Sequence, residues 1–297
     1  MKKPIAIACS DIHLCDKAPV CRSNEPDWFA AMARPLEALA KLSNELEVPI
    51  LCAGDLFDKP KASPKLEIFA MHHISSCYSM NWYCIPGQHD LPNHDLNKIN
   101  ESSYGVLSHC DIINTMPTHE DFIVQGFPWG MELQPCTYTE DKPRIAILHK
   151  LVWNKKEPYP GAPVDGNVKN IIKKLKGFDI IICGDNHEGF IYLDKNTTVL
   201  NCGSLMRRNA AQANYDPMAY IIYDDLSIEC VSMAFDCDVI DTSHIDKRDE
   251  KNERIDSFVK TLQNDVEIEL SFESNLDRYC SANNVEDQIK GRILAHV

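Results

Sequence analysis

The stretch Val48-Pro49-Ile50-Leu51-Cys52-Ala53-Gly54-Asp55-Leu56-Phe57-Asp58 decides how this chain reads. An apolar run of strand length ends in a glycine and two carboxylates, so a rigid element carries charge at its tip. The same grammar recurs in order. Ile5 to Cys9 leads into Asp11-Ile12-His13, and Trp82 to Ile85 into Gly87-Gln88-His89-Asp90. Ile145 to Leu148 leads into His149, and Ile180 to Cys183 into Gly184-Asp185-Asn186-His187. Strand ends from distant parts of a chain converge on one site when the sheet brings them together. A lone Asp-x-His is common by chance, and a His in an apolar run is more often a hydrogen-bonded core residue than a ligand. Five such blocks in sequence argue for a shared site.

The residue types specify the chemistry. Carboxylates, imidazoles and a side-chain amide, with no thiolate, suit Mn²⁺, Mg²⁺, Fe²⁺ or Zn²⁺ at an open site better than a closed structural zinc. Manganese is the first expectation. Two divalent ions roughly 3.5–4 Å apart supply a nucleophilic water, a clamp on phosphoryl oxygens and stabilisation of a leaving alkoxide. The pattern therefore reads as a two-metal phosphoesterase.

On these residues the chain resembles the calcineurin-like metallophosphoesterases, whose pattern runs Asp-x-His, Gly-Asp-x-x-Asp, Gly-Asn-His-Asp/Glu, His, Gly-His-x-His. The Gly54-to-Pro60 wording, with Lys59 after the last Asp, is similar to the SbcD-type nuclease branch; protein phosphatases carry Arg at that position. Gln88-His89-Asp90-Leu91-Pro92 and Gly203-Ser204-Leu205-Met206-Arg207 are similar to SbcD-like proteins of tailed phages. The resemblance covers most of the first 235 residues.

The resemblance implies that Asp11, His13, Asp55 and His187 hold one metal, and Asp55, Gln88, His149 and Asp185 the other, with Asp55 bridging. It further implies His89 as general acid or transition-state stabiliser, Asp90 as the residue fixing its tautomer, and Asp58 as a group orienting a ligand imidazole. For Asp58 and Asp90 a solvated loop carboxylate is the alternative. Two positions depart from the pattern, both on the second metal: Gln88 replaces Asn, and Asp185 replaces His. Each still offers a donor, so the site is expected to be harder and more negative, favouring Mn²⁺ or Mg²⁺; a weakly occupied second site is the opposing reading.

Composition bounds the rest. The 297 residues, 44% hydrophobic, suffice for one large domain and a small one. Ile5 to Cys9 is too short for a signal-peptide core, and no membrane-spanning segment is legible. The thirteen cysteines are odd in number and include no Cys-x-x-Cys pair, and Cys9, Cys52, Cys84 and Cys183 sit inside apparent core strands. Buried thiols in a reducing cytoplasm are expected; Cys9, Cys15 and Cys21 are evenly spaced but lack a fourth partner for a metal. The net charge of −14 is unusual for a protein that binds a phosphate backbone. Lys173, Lys174 and Lys176, Lys155 with Lys156, and above all Arg207 and Arg208 are the candidate local positives.

Strand-like and helical runs alternate. Phe29, Met32, Leu36, Leu39 and Leu46 recur near helical spacing, with Pro35 expected to kink the helix or mark its first turn, and Pro64 opens a helix running to about Cys77. Thr198–Asn201, Ala219–Tyr223 and Ser227–Met233 read as meander strands. An α/β chain results, and the resemblance implies a two-sheet β-sandwich flanked by helices over 1–235. Asp236 to Glu253 reads as a linker or exposed connection. After it, the 236–297 region carries a helical stripe (Ile255, Phe258, Val259, Leu262), an alternating strand (Val266, Ile268, Leu270, Phe272) and a last helix (Val285, Ile289, Ile293), a small α/β appendage that the resemblance implies is a capping or partner-docking region.

The function expected is a cytoplasmic phosphodiesterase acting on DNA, in the host cytoplasm for a phage-encoded chain, working as the nuclease subunit of an SbcCD-like complex in DNA repair, recombination or replication. Its partners would be DNA, an SMC-like ATPase of the SbcC type and, by analogy, a second copy in a homodimer. The alternatives are a hydrolase of a small phosphoester and a catalytically weak metal-binding scaffold.

Overall fold

The computed structural model describes residues 2–78, 82–115, 119–154, 163–243 and 272–294. Among the described residues ten strands form two five-stranded sheets. In the first, β1 (Pro4–Cys9), β2 (Ile50–Cys52) and β3 (Trp82–Cys84) run parallel, and β9 (Met218–Tyr223) and β10 (Ile228–Ser232) add antiparallel neighbours beside β1. In the second, β4 (Ile123–Phe127), β5 (Arg144–His149), β6 (Ile180–Gly184) and β8 (Thr198–Asn201) are parallel, and β7 (Phe190–Leu193) closes the edge antiparallel to β8.

Parallel strands covered on both faces need apolar residues throughout, which is why these segments read as unbroken runs. Alternate residues of β1 divide between two layers. Ala6 and Ala8 face the inter-sheet core with Leu51, Tyr83, Ile145, Ile147, Ile180 and Ile182. Ile7 and Cys9 face the helices α1 (Trp28–Leu46), α2 (Pro64–Ser75) and α3 (Ser103–His109), through Met32, Leu36, Leu39, Ala70, Ile74 and Leu107. On the far side of the second sheet, Leu148, Ile181 and Val199 pack on α4 (Val168–Lys174) through Val168 and Ile171. The sandwich expected from the resemblance is thus present.

Several local expectations need correction. Asp27 caps α1 by accepting from the Ala30 N–H, so the helix begins well before Pro35, which lies buried inside it. The later strands are no meander: β8 belongs to the second sheet, between β6 and β7, whereas β9 and β10 form a hairpin on the first. β4 and β7 carry no clear alternation and are not legible in the sequence.

Clustering of neighbours divides the chain into Met1–Thr242 and Ser243–Val297. The start of the supposed linker is built into the first unit: the Asp238 side chain, 8% exposed, ion-pairs with Arg22, Arg34 and Arg207. In the second unit the described residues form α5 (Phe272–Ala282) and α6 (Asp287–Leu294), so Phe272 opens a helix instead of ending a strand. Ile289 and Ile293 lie on α6, and Val285 precedes it. The 255–262 stripe and Val266, Ile268 and Leu270 lie outside the described residues. Among the described residues no helix is long and apolar enough to cross a membrane.

Candidate metal centre

Strand register sets the site. Cys9, Cys52 and Cys84 are aligned across β1, β2 and β3, so the loops bearing Asp11 and His13, Asp55, and Gln88 and His89 leave the first sheet at one level. In the second sheet His149 pairs with Gly184, the residue before Asp185. The loops are then laced together: Asp11 N–H donates to Gly54 O (3.0 Å), His13 N–H to Asp55 O (2.9 Å) and Leu14 N–H to Leu56 O (2.8 Å).

Two glycines let the sheets close. A Cβ on Gly54, at φ +99°, would run into the His149 ring at Nδ1, and one on Gly184 would run into Ser10 Oγ and Ala53 O. Asp11, His13, Asp55 and Asp185 themselves occupy the left-handed region, at φ 51°, 50°, 53° and 79°. Such conformations persist only where surrounding structure enforces them, and they cluster at functional sites.

The side chains of Asp11, His13, Asp55, His149 and His187 lie together. His13 Nε2 lies 3.1 Å from His187 Nε2 and 3.7 Å from Asp55 Oδ2, and His187 Nε2 lies 3.6 Å from Asp11 Oδ1. His149 Nε2 is 3.3 Å from Asp55 Oδ2. Among the described residues three groups able to hold a cation result: Asp11–His13–His187, Asp11–Asp55–His149, and His13–Asp58–His89. Gln88 Nε2 donates to Asp185 Oδ1 at 2.7 Å, so the two departures from the family pattern touch each other.

Hydrogen bonding leaves the right atoms free. Asp55 Oδ1 accepts the His89 N–H at 2.9 Å, while Asp55 Oδ2 is buried without a hydrogen-bond partner, as are Gln88 Oε1 and His149 Nε2. Nδ1 of His149 faces the carbonyl of Ala53 at 2.6 Å, which only accepts, so a ring proton sits there and Nε2 is the nitrogen directed at Asp55. Buried polar atoms are normally paired, so Asp55 Oδ2 and His149 Nε2, unpaired and 3.3 Å apart, fit a divalent cation.

Burial, opposed by His149 and reinforced by Asp55, pushes Asp11 up to about 7. Burial also works against charge on Asp55 and His149, yet their mutual attraction wins, holding Asp55 below the carboxylate range and His149 above the imidazole range. Burial and then the Arg208 charge keep His13 well below its usual range, in the neutral form that a ligand needs.

Asp90 and Asp58 have other partners than the sequence implied. Asp90 is fully buried and accepts from the N–H groups of Phe57 (2.8 Å), Gly87 (2.9 Å) and Leu56 (3.2 Å), tying the Asp55 loop to the Gln88 loop. The tautomer of His89 is set instead by the main-chain carbonyl of Asp58, 2.9 Å from His89 Nδ1. The Asp58 carboxylate, 3.9 Å from His13 Nδ1, is beyond hydrogen-bond reach of the ring and instead binds Arg208 Nη2 at 2.8 Å. Arg207 and Arg208 are therefore engaged within the protein, by Asp238 and Asp58 respectively, and Lys174 lies 3.5 Å from Asp165. Lys155 and Lys156 fall outside the described residues.

Sequence reasoning missed Ser10 and Asn201. Ser10 Oγ donates to Asp11 Oδ2 at 2.7 Å. Asn201 Nδ2 donates to the carbonyls of Asn186 (2.6 Å) and Glu188 (2.8 Å), fixing the turn that carries His187. The available signal was a polar residue closing each apolar run.

No curated protein matches this sequence. Among solved structures the chain is similar to an archaeal phosphodiesterase, with 13% identity and a TM-score of 0.42 over 78% of this chain and 99% of that one. It is also similar to a dimetal phosphatase from Danio rerio, with 11% identity and a TM-score of 0.49 over 78% and 100% of the two chains. The sequence matches the calcineurin-like phosphoesterase family over residues 6–189, a span that contains every residue of the metal centre. The chain belongs to the calcineurin-like phosphoesterases.

Proposed function

We propose that this chain is a dinuclear metal-dependent phosphodiesterase acting on DNA, the nuclease subunit of an SbcCD-like assembly with an SbcC-type ATPase, in DNA repair, recombination or replication. The observation that carries the catalytic part is the convergence of Asp11, His13 and His187, and of Asp11, Asp55 and His149, with Asp55 Oδ2 and His149 Nε2 buried, unpaired and 3.3 Å apart. Asp11, His13, Asp55 and His187 would hold one cation, and Asp55, Gln88, His149 and Asp185 the other. Bound divalent ions supply charge for phosphoryl oxygens and a more acidic water. The oxygen-rich second set favours Mn²⁺, then Mg²⁺, with Fe²⁺ or Zn²⁺ as further fits.

The protein's own proton chemistry centres on His89. With Nδ1–H directed at the Asp58 carbonyl, Nε2 is the open nitrogen, and once protonated it can donate to a leaving oxygen. The Gln88 amide is anchored through Nε2 on Asp185 and its Oε1 is buried without a hydrogen-bond partner, so the longer side chain still has a free donor oxygen.

DNA as substrate is supported by the SbcD-like wording of residues 54–60, 88–92 and 203–207. Hydrolysis of a small phosphoester is the second reading, favoured by the charge of −14 and by the internal engagement of Arg207 and Arg208. The test is Mn²⁺-dependent cleavage of end-labelled linear DNA, with His89→Ala in parallel. Cleavage abolished in that variant with metal retained supports the proposal. Turnover of an aryl phosphodiester without DNA cleavage, even with the ATPase present, supports the small substrate, and silence in both assays a metal-binding scaffold.

A further inference from the structure

One cleft reverses the acidic character of this chain. A cavity of about 300 Å³ opens beside the metal centre, and its rim carries Lys17, Lys59 and Lys61. Its inner wall is Leu14, Cys15 and Asp58. Leu14 directly follows His13, and the Asp58 carboxylate lies 3.9 Å from the His13 ring, so the cleft begins where the metal centre ends. The same wall leads to Arg208, whose Nη2 meets both Asp58 Oδ1 (2.8 Å) and Cys15 Sγ (3.6 Å).

The charges in this cleft are free. Among the described residues Lys17, Lys59 and Lys61 have no ion-pair partner, and all three are exposed. The other carboxylate on the wall, Asp16, is occupied by the N–H and hydroxyl of Ser63, the cap of α2. Three lysines and the adjacent arginine thus outnumber the available anions in a protein with 44 acidic and 30 basic side chains. Exposed lysines usually face bulk solvent as scattered charge, but here they ring a concavity on the two loops that also carry Asp11, His13 and Asp55. Lysine ammonium groups on flexible stems suit a phosphate whose exact position varies along a polymer.

We propose that the cleft lined by Lys17, Lys59 and Lys61 binds a second phosphate of the substrate, the one that flanks the scissile phosphate in a polynucleotide. The proposal rests on the phosphodiesterase reading above and extends it: the enzyme would read at least two successive phosphates, one at the metal centre and one at the lysines. A substrate with a single phosphate would leave the cleft unused.

The test compares two substrates on the full chain: trithymidylate, which has flanking phosphates, and methyl p-nitrophenyl phosphate, which has none. In K17Q/K59Q/K61Q the ratio of kcat/KM for trithymidylate to that for the aryl diester should fall at least tenfold, chiefly through KM. The salt dependence of the trithymidylate KM should flatten by about one logarithmic slope unit for each lysine–phosphate pair removed. A triple change on the α4 side, K173Q/K174Q/K176Q, removes the same charge elsewhere and should leave the ratio where it was. An unchanged ratio in the cleft variant, or an equal fall in the α4-side variant, overturns the proposal. Absence of turnover on both substrates would instead remove the catalytic reading. The cleft is then judged by anisotropy of 3′-fluorescein-labelled trithymidylate with Ca²⁺-loaded protein: at least tenfold weaker binding in the cleft variant upholds it, and equal affinity overturns it.

Discussion

Asp55 shows how one side chain can be divided between structure and chemistry. Its Oδ1 is held by the His89 N–H and its Oδ2 is buried without a hydrogen-bond partner, so the same carboxylate fixes the loop and keeps one atom able to hold a cation. Asp90, two residues past Gln88, does only the first of these jobs. Asp90→Ala leaves three buried N–H groups unpaired and should cost at least about 3 kcal/mol in denaturant unfolding, with metal affinity falling as the Asp55 loop loosens. His89→Ala touches no orphaned ligand atom. It should lower kcat by roughly 10²–10⁴ while calorimetric metal binding persists, and metal loss in that variant would make His89 a ligand instead. The residue types were legible in sequence, but the partners of Asp58 and Asp90 were not. Both follow the same kind of motif, and only the path of the loops decides that Asp90 turns inward to amides while Asp58 turns outward to Arg208.

At the scale of elements, the site depends on two sheets approaching through glycine. Gly184→Ala forces a methyl against Ser10 and Ala53 O, close to His149, and should destabilise the fold by about 2 kcal/mol or more and weaken metal binding, as thermal melts with and without Mn²⁺ would show. The segment after β10 is held just as firmly. Burial of Asp238 opposes its charge, but Arg34, Arg207 and Arg22 outweigh that and hold its pKa below the usual carboxylate value. A depressed folded pKa gives stability that is present above the unfolded value, near about 3.9, and lost as pH falls through the folded one. Asp238→Asn should therefore cost about 3 kcal/mol at pH 7, and the gap to wild type should narrow below about pH 4. If the gap is constant with pH, the carboxylate's charge is not what holds the segment. In sequence this stretch read as a linker, because ion pairing to arginines far back along the chain leaves no local signature.

For the molecule as a whole, a cation held by both sheets couples binding to folding. Saturating metal at about 100 times Kd should add about 2.7 kcal/mol to unfolding free energy, and chelation should remove it. Two ions per chain are expected at saturation. One ion in wild type and two in Asp185→His would instead mean that the acidic second site is only weakly filled. The sequence by itself determined the strands that feed the site and the order of the ligand blocks, because buried parallel strands require unbroken apolar runs and metal ligands require particular donors; the layer architecture followed from the resemblance those blocks carry. It also determined the family, through those same blocks. Only the tertiary structure decided that the late strands split between two sheets, that Arg207 and Arg208 are internally paired, and that Lys17, Lys59 and Lys61 surround one cleft. Those outcomes depend on which distant residues meet, and neither periodicity nor spacing along a chain encodes the company a side chain keeps across space.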